Sequence, residues 1–400
     1  MKQPPGYEDP THPGHVCYLQ RSLYDLKQAP RAWFKRLHDF LISAGFSSSK
    51  TDVSLFYTTS GASKVYLLVY VDDIIVMGHD ARAVDTLLTR LATTFKIRDL
   101  GKPSFFLGIE TVDTKGGIVL SQRRYMTDLL GRAGMSDCKP LTTPAAVTKP
   151  VTASDEPFDN LTQYRRIVGA LQYLTIRRPD LSFSVNRLCQ FMHAPTMDHW
   201  ALAKRVLRYI KGTLAYGLRI SASPTTTIHA YSDSDWAGCP KDRKSTSGYA
   251  VFLGDNLISW QSRKQRTVAR SSTEAEYKVL ADVAAEVTWV VSLLRELGLH
   301  DSQPSSIWCD NLGATYLCTN PVFHARTKHV EIDYHFVRDK VATGEFIVNY
   351  VSTKDQLVDV FTKPLPGPRF TALRFKLNVI GDNSGIVSYT LLYLCSVETE

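Results

Sequence analysis

The stretch 65–78, Val-Tyr-Leu-Leu-Val-Tyr-Val-Asp-Asp-Ile-Ile-Val-Met-Gly, constrains this chain of 400 residues more than any other, because two adjacent carboxylates interrupt a run of apolar residues. Such a run favours two buried strands. A buried ionised carboxylate needs a compensating partner, so Asp72 and Asp73 are expected at the tip of a hairpin, where a divalent cation binds them. The alternative is an ordinary exposed turn, in which aspartate is simply a good turn former.

A series of short motifs places this hairpin in a larger context. They are Gln3-Pro-Pro-Gly-Tyr, Leu26-Lys-Gln-Ala-Pro-Arg-Ala-Trp, Tyr70-Val-Asp-Asp, Phe106-Leu-Gly-Ile-Glu, Tyr231-Ser-Asp-Ser-Asp-Trp-Ala-Gly, Ser272-Thr-Glu-Ala-Glu-Tyr and Lys354-Asp-Gln-Leu-Val-Asp. In these motifs, and over nearly all of residues 3–377, the chain resembles the Pol polyprotein of copia-type long-terminal-repeat retrotransposons. The resemblance implies a reverse transcriptase, which is an RNA-directed DNA polymerase, followed by a ribonuclease H. It also implies that Asp72 and Asp73 are catalytic metal ligands of the polymerase.

Composition narrows the class of protein and its partners. Lysine and arginine number 47 against 39 aspartates and glutamates, and the net charge of +8 favours a polyanionic partner such as nucleic acid. The seven cysteines are scattered without a C-x-x-C pair, which predicts reduced thiols, an intracellular setting and no zinc site. We expect neither a signal peptide nor a membrane partner, since no apolar run approaches the roughly 18 residues of a membrane span. The resemblance implies cytoplasmic virus-like particles, with later entry of the DNA copy into the nucleus.

Four segments are predicted along the chain. Residues 1–139 are interpreted as part of a reverse transcriptase palm and thumb, and residues 140–227 as a linker followed by a basic helical connection. Residues 228–366 are predicted to form a ribonuclease H-like domain, because their elements follow the order β-β-β-α-β-α-β-α, and residues 367–400 to form an irregular tail. The predicted fold class is therefore α/β of the α+β kind. It combines a partial palm and thumb with a ribonuclease H-like domain, whose five-stranded mixed sheet is flanked by helices.

Four carboxylates of the third segment make up a set suited to two-metal hydrolysis, which needs carboxylates from several elements to converge on cations. Asp233 and Asp310 end strands, Glu276 lies on a long helix, and Asp359 lies near the start of the last helix. Singly, each has a structural explanation: a turn residue, a solvated helix residue, or a favourable charge at a helix N-terminus. Together, in this order, they favour a catalytic site that binds Mg²⁺, with Mn²⁺ as an alternative.

Two further carboxylates leave the assignment open. Asp235 stands two residues beyond Asp233 on the same strand face, and Glu274 stands two residues before Glu276, on roughly the opposite side of the helix. We prefer Glu276, because Ala275-Glu276-Tyr277 resembles the family's signature at this point.

Nucleic-acid contacts are predicted for Gln28, Arg263, Lys264, Arg266 and Lys354. The cations just before the long helix are placed to rest on the backbone of a hybrid, and the resemblance extends this role to Gln28. The lysine before the last helix is expected near the leaving phosphate, although a solvated lysine explains it equally well. The implied partners are an RNA·DNA hybrid, an RNA template with a DNA primer, and the other parts of the Pol polyprotein in intact relatives.

The polymerase half is predicted to be incomplete. By the resemblance, its site needs a further aspartate, in a motif that precedes Gln3-Pro-Pro-Gly in full-length relatives. We therefore expect a truncated copy that has lost DNA synthesis and retains two-metal hydrolysis of RNA in RNA·DNA hybrids. The alternatives are a catalytically inactive, nucleic-acid-binding remnant of a decayed element and an unstable relic of one.

Overall fold

The computed structural model describes residues 1–19, 26–58, 64–147, 156–300, 302–319 and 330–381, and the backbone of residues 392–397. The chain forms two compact units. The first takes in Met1–Pro103, Glu296–Gly298 and Leu391–Glu400, and the second takes in Ser104–Arg295 and Leu299–Thr390. Elements are numbered below in chain order. Among the described residues, no helix has the length and apolar character that crossing a membrane requires.

The first unit is an antiparallel sheet covered by two helices. The helices are α1 (Ala29–Ser43) and α2 (Ala81–Thr94), and the strands are β1 (Ser47–Ser48), β2 (Leu55–Thr58), β3 (Val65–Tyr70), β4 (Asp73–Gly78), β5 (Ile97–Gly101) and β16 (Leu392–Val397). The strand order is β1-β2-β3-β4-β16-β5. Alternate residues of β3 are buried, and Leu67 packs with Leu41 of α1 and Leu91 of α2 in one core. The predicted hairpin around Asp72 and Asp73 is present, since β3 pairs directly with β4.

The second unit contains an antiparallel sheet of strand order β15-β9-β8-β7-β6. Its strands are β6 (Phe105–Phe106), β7 (Ile109–Thr114), β8 (Gly117–Ser121), β9 (Tyr216–Ser221) and β15 (Val379–Gly381). Around it lie α3 (Arg123–Arg132), α4 (Leu161–Leu174), α5 (Ser182–Cys189), α6 (Met197–Gly212) and α11 (Gly367–Lys376), with a 3₁₀ turn at Pro179–Leu181. Leu129 of α3, Leu171 of α4 and Leu207 of α6 share one core. The division between the units therefore falls before this sheet and differs from the predicted boundary between residues 139 and 140.

The second sheet of this unit has five strands in the order β12-β11-β10-β13-β14. They are β10 (Ile228–Asp235), β11 (Thr246–Leu253), β12 (Asn256–Lys264), β13 (Ser305–Cys309) and β14 (Phe346–Tyr350). The first three pair antiparallel, while β13 is parallel to β10 and β14 is parallel to β13. The helices are α7 (Ser272–Glu296), α8 (Leu312–Thr319), α9 (Glu331–Ala342) and α10 (Asp359–Thr362). This mixed five-stranded sheet with flanking helices confirms the predicted fold class.

The two faces of the mixed sheet pack against different partners. On one face, Val251 and Ile307 lie in a core with Leu280 of α7 and Tyr334 of α9. On the other, Phe252 belongs to the core that also holds α4, α6 and α11. Burial on both faces fixes the ends of β10 and β13, which carry the candidate site.

The prediction that residues 367–400 are irregular was wrong for the part that the structure describes. Helix α11 forms because Phe370 and Leu373, three residues apart, are both buried in a core of the second unit. After it, Leu377 and Val379 are buried as well, and β15 pairs with β9. Strand β16 pairs with β4 and β5 of the first unit.

Candidate active site

Two carboxylates meet where parallel strands end. In the register of β10 and β13, Ser232 lies opposite Cys309, so the next residues, Asp233 and Asp310, are neighbours at the same edge of the sheet. Asp233 is buried, with 2% of its surface exposed, and Asp310 is half-buried. Strand pairing alone thus brings together two side chains that lie far apart in the sequence.

Helix α7 adds a third carboxylate near its N-terminus. The backbone N–H of Ser234 donates to Oε1 of Glu276 at 3.0 Å, and the Cys309 thiol donates to Oε2 at 3.8 Å. Ligand atoms of Asp233, Glu276 and Asp310 all lie within 4.8 Å of one another. We call these three residues the carboxylate trio.

Glu274 and Asp235, the two alternatives left open by the sequence, lie outside the trio. The Glu274 carboxylate contacts the Lys278 ammonium at 2.7 Å and accepts the backbone N–H of Arg270 at 2.7 Å. The Asp235 carboxylate accepts the backbone N–H of Thr246, which stands opposite it on β11. Burial raises the pKa of Asp235 to about 7. Both side chains therefore have local partners.

The trio is electrostatically unfavourable without a cation. Burial, more than any other cause, raises the pKa of Asp233 to about 6. Burial also raises the pKa of Glu276 well above its ordinary value, and the charges of Asp233 and Asp310 raise it further. Oxygen ligands held this close, and partly desolvated, suit a hard divalent cation such as Mg²⁺. No other group of three or more such side chains occurs in the described ranges.

Asp359, the fourth predicted carboxylate, lies beside the trio but outside it. It is the first residue of α10 and is 3% exposed. Its Oδ1 is 2.6 Å from Nζ of Lys363, and its Oδ2 accepts from Nη2 of Arg369 at 2.5 Å. The Lys363 ammonium is also 3.7 Å from Oδ2 of Asp233, and the Thr362 hydroxyl donates to the same Asp233 oxygen.

The sequence analysis did not single out Thr362, Lys363 or Arg369, the side chains that surround Asp233 and Asp359. Lys363 stands four positions after Asp359, a spacing that places charged partners together on a helix. That signal was available, but the same spacing is common on solvated faces. Arg369 carried no local signal, because its partner is set by how α11 packs.

The tip of the hairpin presents Asp72 and Asp73 differently from the trio. Tyr70 pairs with Asp73, and the turn between them holds Val71 at φ = +55°, a conformation that β-branched residues rarely adopt. Asp72 is exposed. The pKa of Asp73 is raised, mainly by partial burial and to a smaller extent by the negative charge of Asp72. Within the part of the chain that the structure describes, no third side chain joins this pair in a metal-sized group.

The predicted nucleic-acid contacts are placed as follows. Gln28 is exposed at the start of α1 in the first unit. In the second unit, Arg263, Arg266 and Lys354 are exposed. Lys264 is instead engaged, because its Nζ lies 3.0 Å from an Asp242 oxygen and 3.1 Å from the Cys239 sulfur.

Comparisons with known proteins relate nearly the whole chain to one family. Residues 1–147 match the family described as "Reverse transcriptase (RNA-dependent DNA polymerase)". The retrovirus-related Pol polyprotein from transposon RE2 of Arabidopsis thaliana is 49% identical over 381 residues, which are 95% of this chain. A transposon Ty5-1 protein of Saccharomyces cerevisiae is 30% identical over 291 residues, which cover 72% of this chain and 94% of that protein. The chain belongs to the copia-type retrotransposon Pol family. It spans 26% of the length of the RE2 polyprotein.

Among solved structures, a ribonuclease H1 from the halophilic archaeon Halobacterium salinarum is similar to part of this Pol family chain. It is 13% identical, with a TM-score of 0.26, and the match covers 34% of this chain and 94% of the archaeal protein.

Proposed function

We propose that this copia-type Pol chain hydrolyses the RNA strand of RNA·DNA hybrids in a reaction that depends on a divalent cation. The observation that carries the proposal is the carboxylate trio, in which three side chains from two parallel strand ends and one helix lie within 4.8 Å of one another. Hydrolysis of a phosphodiester needs this convergence of oxygen ligands in a rigid site. The order of strands and helices around the trio supports the ribonuclease H class.

The role of the trio is to bind a cation and fix its place. Asp233, Glu276 and Asp310 would hold Mg²⁺, which, when bound, supplies the charge that activates water and offsets charge on the leaving oxygen. The Ser234 N–H orients the Glu276 carboxylate. The Gln356 amide, which donates to the Ser232 carbonyl at 2.9 Å, fixes the strand end beside Asp233.

Substrate binding would fall to the exposed cations of the second unit. Arg263, Arg266 and Lys354 are exposed and can reach phosphates. Recognition of a hybrid rests mainly on shape, phosphates and 2′-hydroxyls, which needs no base-specific pocket. An RNA template with a DNA primer is the partner proposed for the first unit, through Gln28 and the hairpin tip.

We propose that this chain by itself carries out little DNA synthesis. The reverse transcriptase family model covers the hairpin, yet Asp72 and Asp73 have no third carboxylate beside them among the described residues. Losing one ligand of a polymerase site removes several kcal/mol of transition-state stabilisation, and each 1.36 kcal/mol is about tenfold in rate.

The experiment compares three forms of the purified chain on a labelled RNA·DNA hybrid, with and without Mg²⁺, beside a primer-extension reaction. The wild type and the exposed control Asp137→Asn are expected to cut the RNA only with Mg²⁺. Asp310→Asn is expected to cut at least about 10²-fold more slowly, because it removes one ligand of the trio. Circular dichroism confirms that all three are folded.

Two results would overturn the proposal. If the folded wild type binds the hybrid but cuts nothing, the chain is a nucleic-acid-binding remnant. If Asp310→Asn cuts as fast as the wild type, the trio is not the site of hydrolysis. Robust primer extension would overturn only the statement on DNA synthesis.

A further inference from the structure

The fourth carboxylate of the site already has two cationic partners. The two oxygens of Asp359 contact different side chains, Lys363 at 2.6 Å and Arg369 at 2.5 Å. Asp359 is almost fully buried, so water screens these two ionic contacts little, and the Arg369 contact is also a hydrogen bond. A divalent cation at Asp359 would share the carboxylate with two positive charges, so its binding would favour the displacement of one of them.

Arg369 has further contacts that hold it in place. Its Nη2 donates to the Thr353 carbonyl at 2.8 Å, and its Nη1 donates to the Lys354 carbonyl at 3.0 Å. One guanidinium therefore joins Asp359 to the loop before α10. Lys363 is the more easily displaced partner, since its ammonium contacts carboxylates alone among the contacts found.

Lys363 lies between Asp359 and the trio. Its Nζ is 2.6 Å from Asp359 and 3.7 Å from Oδ2 of Asp233, so it bridges the two carboxylates as a second cation would. Its side chain is 37% exposed. A lysine side chain is ordinarily protonated at neutral pH, so the bridge between the two carboxylates carries a positive charge.

We propose that Lys363 is a positioning residue that occupies the place of a second divalent cation, so that this site binds a single divalent ion at the carboxylate trio. Asp359 then serves to hold the lysine rather than a metal. The inference rests on the proposed function, because it takes the trio as a cation site. It replaces the two-metal arrangement expected from the sequence with one metal ion and one ammonium group. The chain thereby supplies from its own sequence part of the charge that faces the substrate phosphate.

The test counts bound ions. Mn²⁺ is titrated into the full chain while electron paramagnetic resonance measures free Mn²⁺, both without nucleic acid and with a 2′-O-methyl RNA·DNA duplex that cannot be cut. The duplex is included because substrate phosphate completes the shell of such ions. The wild type, Lys363→Arg and the exposed control Lys376→Met are expected to bind one ion, and Lys363→Met is expected to bind two.

A second readout separates charge from packing. Without metal, Lys363→Met is expected to lower the thermal midpoint of unfolding, because two buried carboxylates lose their shared cation. Mn²⁺ is expected to raise that midpoint more in Lys363→Met than in the wild type, since binding to the folded state stabilises it and the variant offers two sites. A lysine that only packs against α10 would give equal increases.

The possible outcomes separate this inference from the proposed function. Two ions in the wild type, or one ion in both the wild type and Lys363→Met, would overturn the role of Lys363 and leave hydrolysis standing. No ion in the wild type would overturn both. One ion in the wild type and two in Lys363→Met, without any cleavage of a natural hybrid, would support the lysine bridge and overturn the proposed hydrolysis.

Discussion

Replacing Asp180 by asparagine is expected to destabilise the second unit by about 3–5 kcal/mol. The Asp180 side chain is inaccessible to solvent and accepts bonds from the Arg178 guanidinium at 2.9 and 2.8 Å and from the Tyr209 hydroxyl at 2.6 Å. Arg178 is only 1% exposed, so the variant leaves a guanidinium buried without the carboxylate that neutralises it. Breaking a buried pair in this way costs about 3–5 kcal/mol, against a total of about 5–15 kcal/mol for a typical domain.

Urea unfolding followed by tryptophan fluorescence measures this change. Of the six tryptophans, all except Trp33 belong to the second unit, so the signal reports mainly on that unit. The control is Asp128→Asn, which removes a surface ion pair to Arg132 at 2.8 Å and is expected to change stability by less than about 1 kcal/mol. An Asp180→Asn variant as stable as this control would refute the reasoning.

The difference between Asp180→Asn and the wild type should also depend on pH. Burial alone would raise the pKa of Asp180, but the Arg178 charge and the hydrogen bonds from Arg178 and Tyr209 together outweigh burial and lower the pKa below its ordinary value. A carboxyl with a lowered pKa in the folded state stabilises fully above its unfolded pKa, near 3.8, and loses this effect as the pH falls through the folded value. The destabilisation is therefore expected to be constant near neutral pH and to shrink in acid.

Two further substitutions test the site and its support. Glu276→Gln is expected to slow hybrid cleavage by at least about 10²-fold. Glu274→Gln is expected to slow it by less than about tenfold, because the Glu274 carboxylate contacts Lys278 at 2.7 Å and not the trio. Equal losses of cleavage rate in parallel assays would contradict this prediction. Gly248→Ala is expected to lower the free energy of unfolding by about 1–3 kcal/mol in urea titrations, because its Cβ would lie 2.7 Å from Cβ of Phe361 on α10. An unchanged urea midpoint would contradict this prediction and would mean that β11 and α10 can move apart at little cost.

Local patterns made the hairpin and the trio predictable. The apolar run on both sides of Asp72 favours two buried strands, and β3 and β4 form there. The order of strands and helices after residue 228 predicted that Asp233, Glu276 and Asp310 would converge, and the structure brings these three together. These carboxylates meet because of the topology of the sheet, and the order of strands and helices in the sequence indicates that topology.

Long-range packing was not predictable in the same way. The residues around 140 are rich in proline and threonine and indicated a boundary, yet Leu129 before them packs with Leu171 after them. The pairing of β15 with β9 likewise joins segments far apart in sequence. Lys363 and Arg369 were missed for this reason, since a cation reveals its partner only when the fold places a buried carboxylate beside it.

The most direct measurement of the central claim is strand-specific cleavage. One RNA·DNA hybrid is prepared twice, labelled either on the RNA strand or on the DNA strand, and incubated with the purified chain and Mg²⁺. If the carboxylate trio of Asp233, Glu276 and Asp310 is a ribonuclease H site, fragments arise from the RNA strand alone and vanish when Mg²⁺ is chelated. Intact RNA in the presence of folded protein and Mg²⁺, or equal cutting of both strands, would contradict the claim.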